Sequence, residues 1–339
     1  MTTFLRTGIA VVAGGLLTVG LSVTPAQAAA PKGVVSVERA TVVAYVSDPA
    51  KAHNVVLTRS GRTVTVDDVV AIRAGSGCAA VSGDSTKVRC TLKVNPTWAR
   101  VVLGGLSDTL VNKTDLHLSA KGGAGNDRIT GGPGNDLLDG SIGDDAIWGM
   151  GGNDTIDGWH GRNALSGGDG NDVITGGNDA DRLYGGNGDD SLNAFAGNDI
   201  EDGGPGDDHI FQNMDPIGFA DADAVIGGTG YDTVHYDARS RPVIADADAV
   251  KGDDGMAGEK DTLGTSVEAI LGGNGNDRLI GTPRADSLHG GPGNDVLAGS
   301  SGDDVLEGGP GNDYVNGAGG FDQCLREGQD TILNCEELP

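Results

Sequence analysis

A nine-residue phrase constrains this chain more than any other feature. GGAGNDRIT, GGPGNDLLD and GSIGDDAIW succeed one another from Gly122, and the same beat gives ten consecutive rows ending at Phe211. Six further rows run from Gly272 to Leu325, and a lone row, GGTGYDTVH, begins at Gly227. Rows starting at Gly122, Gly131, Gly167, Gly185 and Gly203 keep Gly-Gly-x-Gly-x-Asp in full.

With 60 glycines and 12 prolines in 339 residues, composition alone comes close to the range of low-complexity disorder. The eighth place of each row argues against it. Ile129, Leu138, Ile147, Ile156, Leu165, Ile174, Leu183, Leu192 and Ile210 fall there, as do Leu279, Leu288, Leu297, Leu306 and Val315. A solvated linker has no reason to hold an apolar residue on a fixed beat, whereas a solenoid must.

Each row divides into a six-residue turn and a three-residue strand. The turn glycines supply left-handed backbone angles and close approach; the strand points one apolar side chain inward. Two rows then close a flattened coil of eighteen residues, and coils stack about 4.8 Å apart. Sixth-place residues come into columns: Asp127, Asp145, Asn163, Asp181 and Asp199 on one side, Asp136, Asp154, Asp172, Asp190 and Asp208 on the other. In the second block the same place holds Asp277, Asp295, Asp304 and Asp313.

Stacked carboxylates repel, and the formal charge of −26 makes that repulsion general. A hard divalent cation between successive turns, held by carboxylate and carbonyl oxygens, would reverse its sign. One ion per facing pair would give eight in the first block and four in the second, enough to offset most of the charge. Departures from the pattern mark weaker sites. Asn163 lacks a charge, Asp179 replaces the fourth-place glycine, Ala194 replaces a first glycine, and GTPRADSLH keeps Asp286 but loses turn glycines.

The motif Gly-Gly-x-Gly-x-Asp-x-U-x resembles the RTX, or haemolysin-type calcium-binding, repeat, and it covers about half of the chain. That resemblance implies an all-β parallel β-roll in two repeat blocks, binding several Ca²⁺ ions through the aspartate side chains and backbone carbonyls. The cysteine-bearing β region and the segment DTVHYDARSRPV leading to SVEAILGGNGND are similar to secreted calcium-binding members of the family in Gram-positive actinobacteria.

The remaining segments suit an extracellular protein. Residues 1–28 read as a secretory signal, with Arg6, an apolar run and Ala26-Gln27-Ala28 as the cleavage site. Residues 31–117 alternate β-branched and polar residues, as in VVSVERATVVAYV, and form a small N-terminal β region that caps the repeats. Residues 122–211 are the first roll block, 212–271 an interrupted insert, 272–325 the second block and 326–339 a C-terminal cap. The insert's Asp221, Asp223, Asp246 and Asp248 read as a solvated loop, with a further ion site as the alternative. Cys78, Cys90, Cys324 and Cys335 allow three pairings, of which local bridges, Cys78 to Cys90 and Cys324 to Cys335, are the simplest.

Charge and motifs exclude several functions. So acidic a chain repels nucleic acid and anionic membranes, and no second apolar run is long enough to span a bilayer. There is no His-Glu-x-x-His, no Gly-x-Ser-x-Gly and no phosphate-loop lysine, and the six histidines are scattered. The expectation is a non-enzymatic, calcium-stiffened protein with a structural or surface-binding role. Its possible partner is a cell wall or polysaccharide; the alternatives are an adhesin or carbohydrate-binding module, or a hydrolase with an unrecognised site. An ice-binding face is disfavoured, because the third place of the rows carries no threonine in either block.

Overall fold

The eighth-place side chains dictate the winding. In the strand Leu137–Ile142, Leu138 points inward while Leu137 and Asp139 point outward, because successive strand residues alternate. Leu138 pairs in parallel register with Ala120 before it and Ile156 after it. On the facing wall, Ile129, Ile147, Leu165 and Leu183 pair in the same way, each eighteen residues from the next. All of these lie in one hydrophobic cluster that runs from Val35 to Val315. Each fully buried leucine or isoleucine contributes about 1.5–3 kcal/mol, so the two inward columns hold the coils in line.

The computed structural model describes residues 33–212 and 222–336. The signal-like residues 1–28 lie outside these. The described chain is all β, a parallel solenoid of about thirteen turns, and no helix in it is long and apolar enough to cross a membrane. One wall is a single fifteen-stranded sheet; the other is divided into a twelve-stranded and a six-stranded sheet.

Parallel winding starts before the glycine-rich rows. Val42–Val46, Trp98–Gly105 and His117–Ala124 pair in parallel on one wall, and Asn54–Ser60, Thr109–Asn112 and Arg128–Gly132 on the other. Antiparallel strands Val34–Arg39, Thr63–Asp67 and Asp84–Thr91 add to these sheets at the N-terminal end. There Cys78 is bonded to Cys90, and near the other end Cys324 is bonded to Cys335. Both bridges are the local ones, and they close loops where strand edges would otherwise fray.

The second wall divides where residues 236–271 break the beat. Thr262–Leu263 pairs with Ala224–Thr229 and ends one sheet, while Val243–Asp246 pairs with Arg278–Ile280 and begins the next. The first wall continues without interruption through His209–Phe211, Thr233–His235, Ala269–Leu271 and Ser287–His289. Near the break the apolar column contains an acid. Glu201, fully buried between Leu183 and Val225, accepts the N–H of Ala194 at 3.0 Å and is bonded by Gln212. The Gln212 carbonyl accepts from buried Arg239, which also pairs with Glu259.

Strands differ from the three-residue expectation in the first block. There the ladder extends into the second place of the row, where Gly132 pairs with Met150 and Gly168 with Gly186. That place needs a left-handed backbone. Gly168 adopts φ +115° at no steric cost, but Met150 and Trp159 hold the same place at φ +85° and +70°. Rows of the second block keep three residues, as in Arg278–Ile280 and Val296–Ala298.

Candidate metal centre

The turn that ends each strand delivers the sixth-place aspartate to the interior edge of the coil. There one carboxylate oxygen serves the preceding coil. The N–H of Asp127 donates to Asp145 Oδ1, that of Asp145 to Asn163 Oδ1, that of Asn163 to Asp181 Oδ1 and that of Asp181 to Asp199 Oδ1, at 2.7–3.1 Å. The opposite column runs from Asp136 through Asp154, Asp172 and Asp190 to Asp208 by the same bond, at 2.7–2.8 Å. A third runs from Asp277 through Asp295 to Asp313, and Asp304 lies between Asp286 and Asp322. All of these side chains are buried.

The other oxygen is what makes the arrangement chemically unusual. Oδ2 of Asp127, Asp136, Asp145, Asp154, Asp172, Asp181, Asp190, Asp208, Asp295, Asp304 and Asp313 is buried with no hydrogen-bond donor among the described residues. An unsatisfied buried carboxylate oxygen is costly, and here it recurs down every column. Burial pushes the Asp154 carboxyl up to about 8, those of Asp127, Asp136, Asp181, Asp190 and Asp295 to about 7, and those of Asp145, Asp172, Asp208 and Asp304 to about 6. The like charges of Asp136 and Asp172 add to the rise at Asp154.

Each Oδ2 faces a space shaped by glycine. A Cβ added to Gly167 would overlap Oδ2 of Asp172 and lie 2.7 Å from the carbonyl oxygen of Gly185 on the next coil. At Gly131 the same atom would overlap Asp136 Oδ2 and lie 2.6 Å from the Gly149 carbonyl. Carboxylate and carbonyl oxygens from two coils therefore converge where the first-place residue has no side chain. Oxygen donors with anionic charge and no competing N–H suit Ca²⁺, and these residues fit it.

Three rows satisfy the carboxylate or its substitute from within the chain. Asn163 donates its own Nδ2 to the Gly161 carbonyl at 2.9 Å. Thr282 donates its backbone N–H to Asp286 Oδ2 and its hydroxyl to Asp286 Oδ1 at 3.0 Å. Asp277 Oδ2 accepts the N–H of Gly273 at 2.7 Å, which the sequence pattern does not reveal.

The columns also extend beyond the residues chosen from sequence. Asp108 accepts the N–H of His53 at 2.6 Å and donates its own to Asp127 at 2.8 Å. Asp199 donates to Asp223, and Asp223 to Asp261, across the irregular segment. Asp208 leads to Asp232 and then to the longer Glu268, whose other oxygen pairs with Arg284 at 2.6 Å. Asp313 ends on Asp330 and Asp322 on Glu336. Asp232 and Asp322 were legible as sixth-place residues of GGTGYDTVH and GAGGFDQCL.

At the N-terminal end a buried histidine lies against a carboxylate. His53 Nδ1 lies 2.6 Å from Asp68 Oδ2, and the Tyr45 hydroxyl donates to the same oxygen at 2.7 Å. Desolvation opposes charge on His53, but its bond to the Asp48 carbonyl and the Asp68 carboxylate outweigh it and raise its pKa.

The family model for the RTX calcium-binding nonapeptide repeat (4 copies) matches residues 119–147, 139–174, 175–210, 217–235, 271–306 and 289–324. No curated protein matches the chain. The matched residues carry the orphaned carboxylate oxygens and the glycine spaces that face them, and the chain carries RTX calcium-binding nonapeptide repeats.

Proposed function

We propose that this calcium-binding β-roll takes up several Ca²⁺ ions between successive coils and uses them to fold and stiffen outside the cell. The ligands are the sixth-place aspartates Asp127, Asp136, Asp145, Asp154, Asp172, Asp181, Asp190, Asp199, Asp208, Asp277, Asp295, Asp304 and Asp313, with the facing glycine carbonyls. Asp232 and Asp322 join them. Sites at Asn163, Asp277 and Asp286 are the weakest, because their polar atoms are already engaged by the chain.

The observation that carries this reading is the repeated, buried and unpartnered Oδ2 beside a first-place glycine. A bound cation supplies the charge that those oxygens lack, and the chain's own part is to hold carboxylate and carbonyl oxygens at a fixed spacing. Secretion is favoured by the signal-like N-terminus and by the two disulfides, which persist in oxidising compartments. Millimolar calcium is an extracellular condition, and extracellular modules bind in the range of about 10⁻⁴–10⁻³ M.

The role is structural or surface-binding rather than catalytic, with a cell-wall or polysaccharide partner. Equilibrium dialysis with radioactive calcium tests the metal content: several ions per chain are expected, and one or none would refute the proposal. Co-sedimentation with insoluble cell-wall polysaccharide, with calcium and with EDTA, tests the partner; binding that is absent in calcium would remove the surface role and leave the structural one.

A further inference from the structure

Sheet geometry brings two histidines together on the outer face of the roll, away from the carboxylate columns. His209–Phe211 and Thr233–His235 are adjacent parallel strands, with His209 opposite Thr233 and Phe211 opposite His235. Ile210 and Val234 fill the core, so His209, Phe211 and His235 all project to the other side. His209 Nδ1 lies 3.0 Å from His235 Nε2. Two ring nitrogens that close cannot both carry protons, so at least one lone pair is presented at the contact.

We propose that His209 and His235 form a site for one borderline transition-metal ion of the Zn²⁺ class, with water completing its coordination. Two imidazole nitrogens on one tetrahedral zinc, each about 2.0–2.1 Å from it, stand about 3.3 Å apart. The present spacing reaches that with a shift of a few tenths of an ångström. The second ring nitrogen of His235 faces Asp237 Oδ1 at 3.8 Å, the place of the carboxylate that orients a metal-bound histidine. Phe211 stacks on the His235 ring at 4.4 Å and 18°, which limits its rotation. Imidazole donors select zinc, copper or nickel over calcium, so this site does not compete with the aspartate columns.

The test uses the full chain saturated with calcium, titrated with Zn²⁺ by calorimetry. One zinc per chain is expected, with affinity at least tenfold weaker in His209→Gln and His235→Gln, and weakened in Asp237→Asn by the 10–100-fold typical of an orienting partner. His160→Gln, remote from the pair, should bind as the parent does. No zinc uptake below about 1 mM, or equal uptake by both histidine variants and the parent, would overturn the proposal. Unchanged calcium content in the variants shows that they fold. Should either fail to fold, Cu²⁺ electron paramagnetic resonance of the parent decides: two coupled nitrogens support the site, and fewer than two overturn it.

Discussion

The backbone N–H of Asp172 donates to Oδ1 of Asp190 at 2.7 Å, while Oδ2 of each turns into a buried space with no donor. One oxygen sets the register of the coils and the other is left for a cation. Asp172→Ala should therefore lower the calcium count by at least one and weaken the neighbouring sites by about 1.5–3 kcal/mol, the size of a lost charged contact. Asn163→Asp should do the opposite and add calcium, since it replaces an amide that bonds to Gly161 with a free carboxylate oxygen. Calorimetric titration of both variants checks this; an unchanged calcium count in each would show that the sixth-place residues are not ligands.

Gly167→Ala separates shape from backbone freedom. Gly167 is not in the left-handed region, so alanine is tolerated by the backbone, but its Cβ would overlap Asp172 Oδ2 and lie 2.7 Å from the Gly185 carbonyl. Loss of the ion between these two coils is the expected outcome, seen as a lower stoichiometry. Full parental stoichiometry would mean that the space beside first-place glycines is not where calcium sits.

Met150 sits at φ +85°, where its row calls for glycine, and its side chain is exposed. Left-handed backbone costs an ordinary residue roughly 1–2 kcal/mol. Met150→Gly relieves that strain but loosens the unfolded chain, and a net gain of about 0.5–1 kcal/mol is expected in calcium. Chemical denaturation at saturating calcium measures it, and a loss of stability would show that the Met150 side chain supports the fold.

Acidity should act in opposite directions with and without metal. Burial raises Asp154 to about 8 and Asp127 to about 7 from the ordinary 3.8, so the metal-free fold binds protons more tightly than the unfolded chain. That stabilisation is full below the ordinary value and is lost as pH rises through the folded values, from about 6 at Asp172 to about 8 at Asp154. In EDTA, β content should be greater at pH 5 than at pH 8. With calcium, protons compete for the same oxygens and affinity should fall at pH 5. Circular dichroism and calcium titration at the two pH values check both signs, and a metal-free spectrum insensitive to pH would contradict the burial of these carboxylates.

A solenoid writes its structure locally, which is why the nine-residue beat, the inward column from Ile129 to Ile210 and the aspartate columns could be read from sequence. The features that escaped depend on contacts between distant segments. Asp108 continues a column, but Leu103 and Leu106 stand in the places of the first and fourth glycines, and its step to Asp127 is nineteen residues rather than eighteen. Asp223 and Asp261 join the same column over 24 and 38 residues, a register set by the path of the intervening chain. Glu201 interrupts the apolar column because Gln212 reaches it from just beyond the next strand, His209–Phe211, on the other wall. The buried His53–Asp68 pair likewise depends on a hairpin that brings the second strand back beside the first.

Far-ultraviolet circular dichroism of the full chain, titrated from EDTA into calcium near neutral pH, asks most directly whether the metal makes the roll. Stacked, buried carboxylates without a cation disfavour the coils between residues 122 and 325, so that region should be largely unfolded in EDTA. It should gain β structure with a midpoint at about 0.1–1 mM calcium. A β spectrum that is already complete in EDTA and does not change in millimolar calcium would contradict calcium-dependent folding.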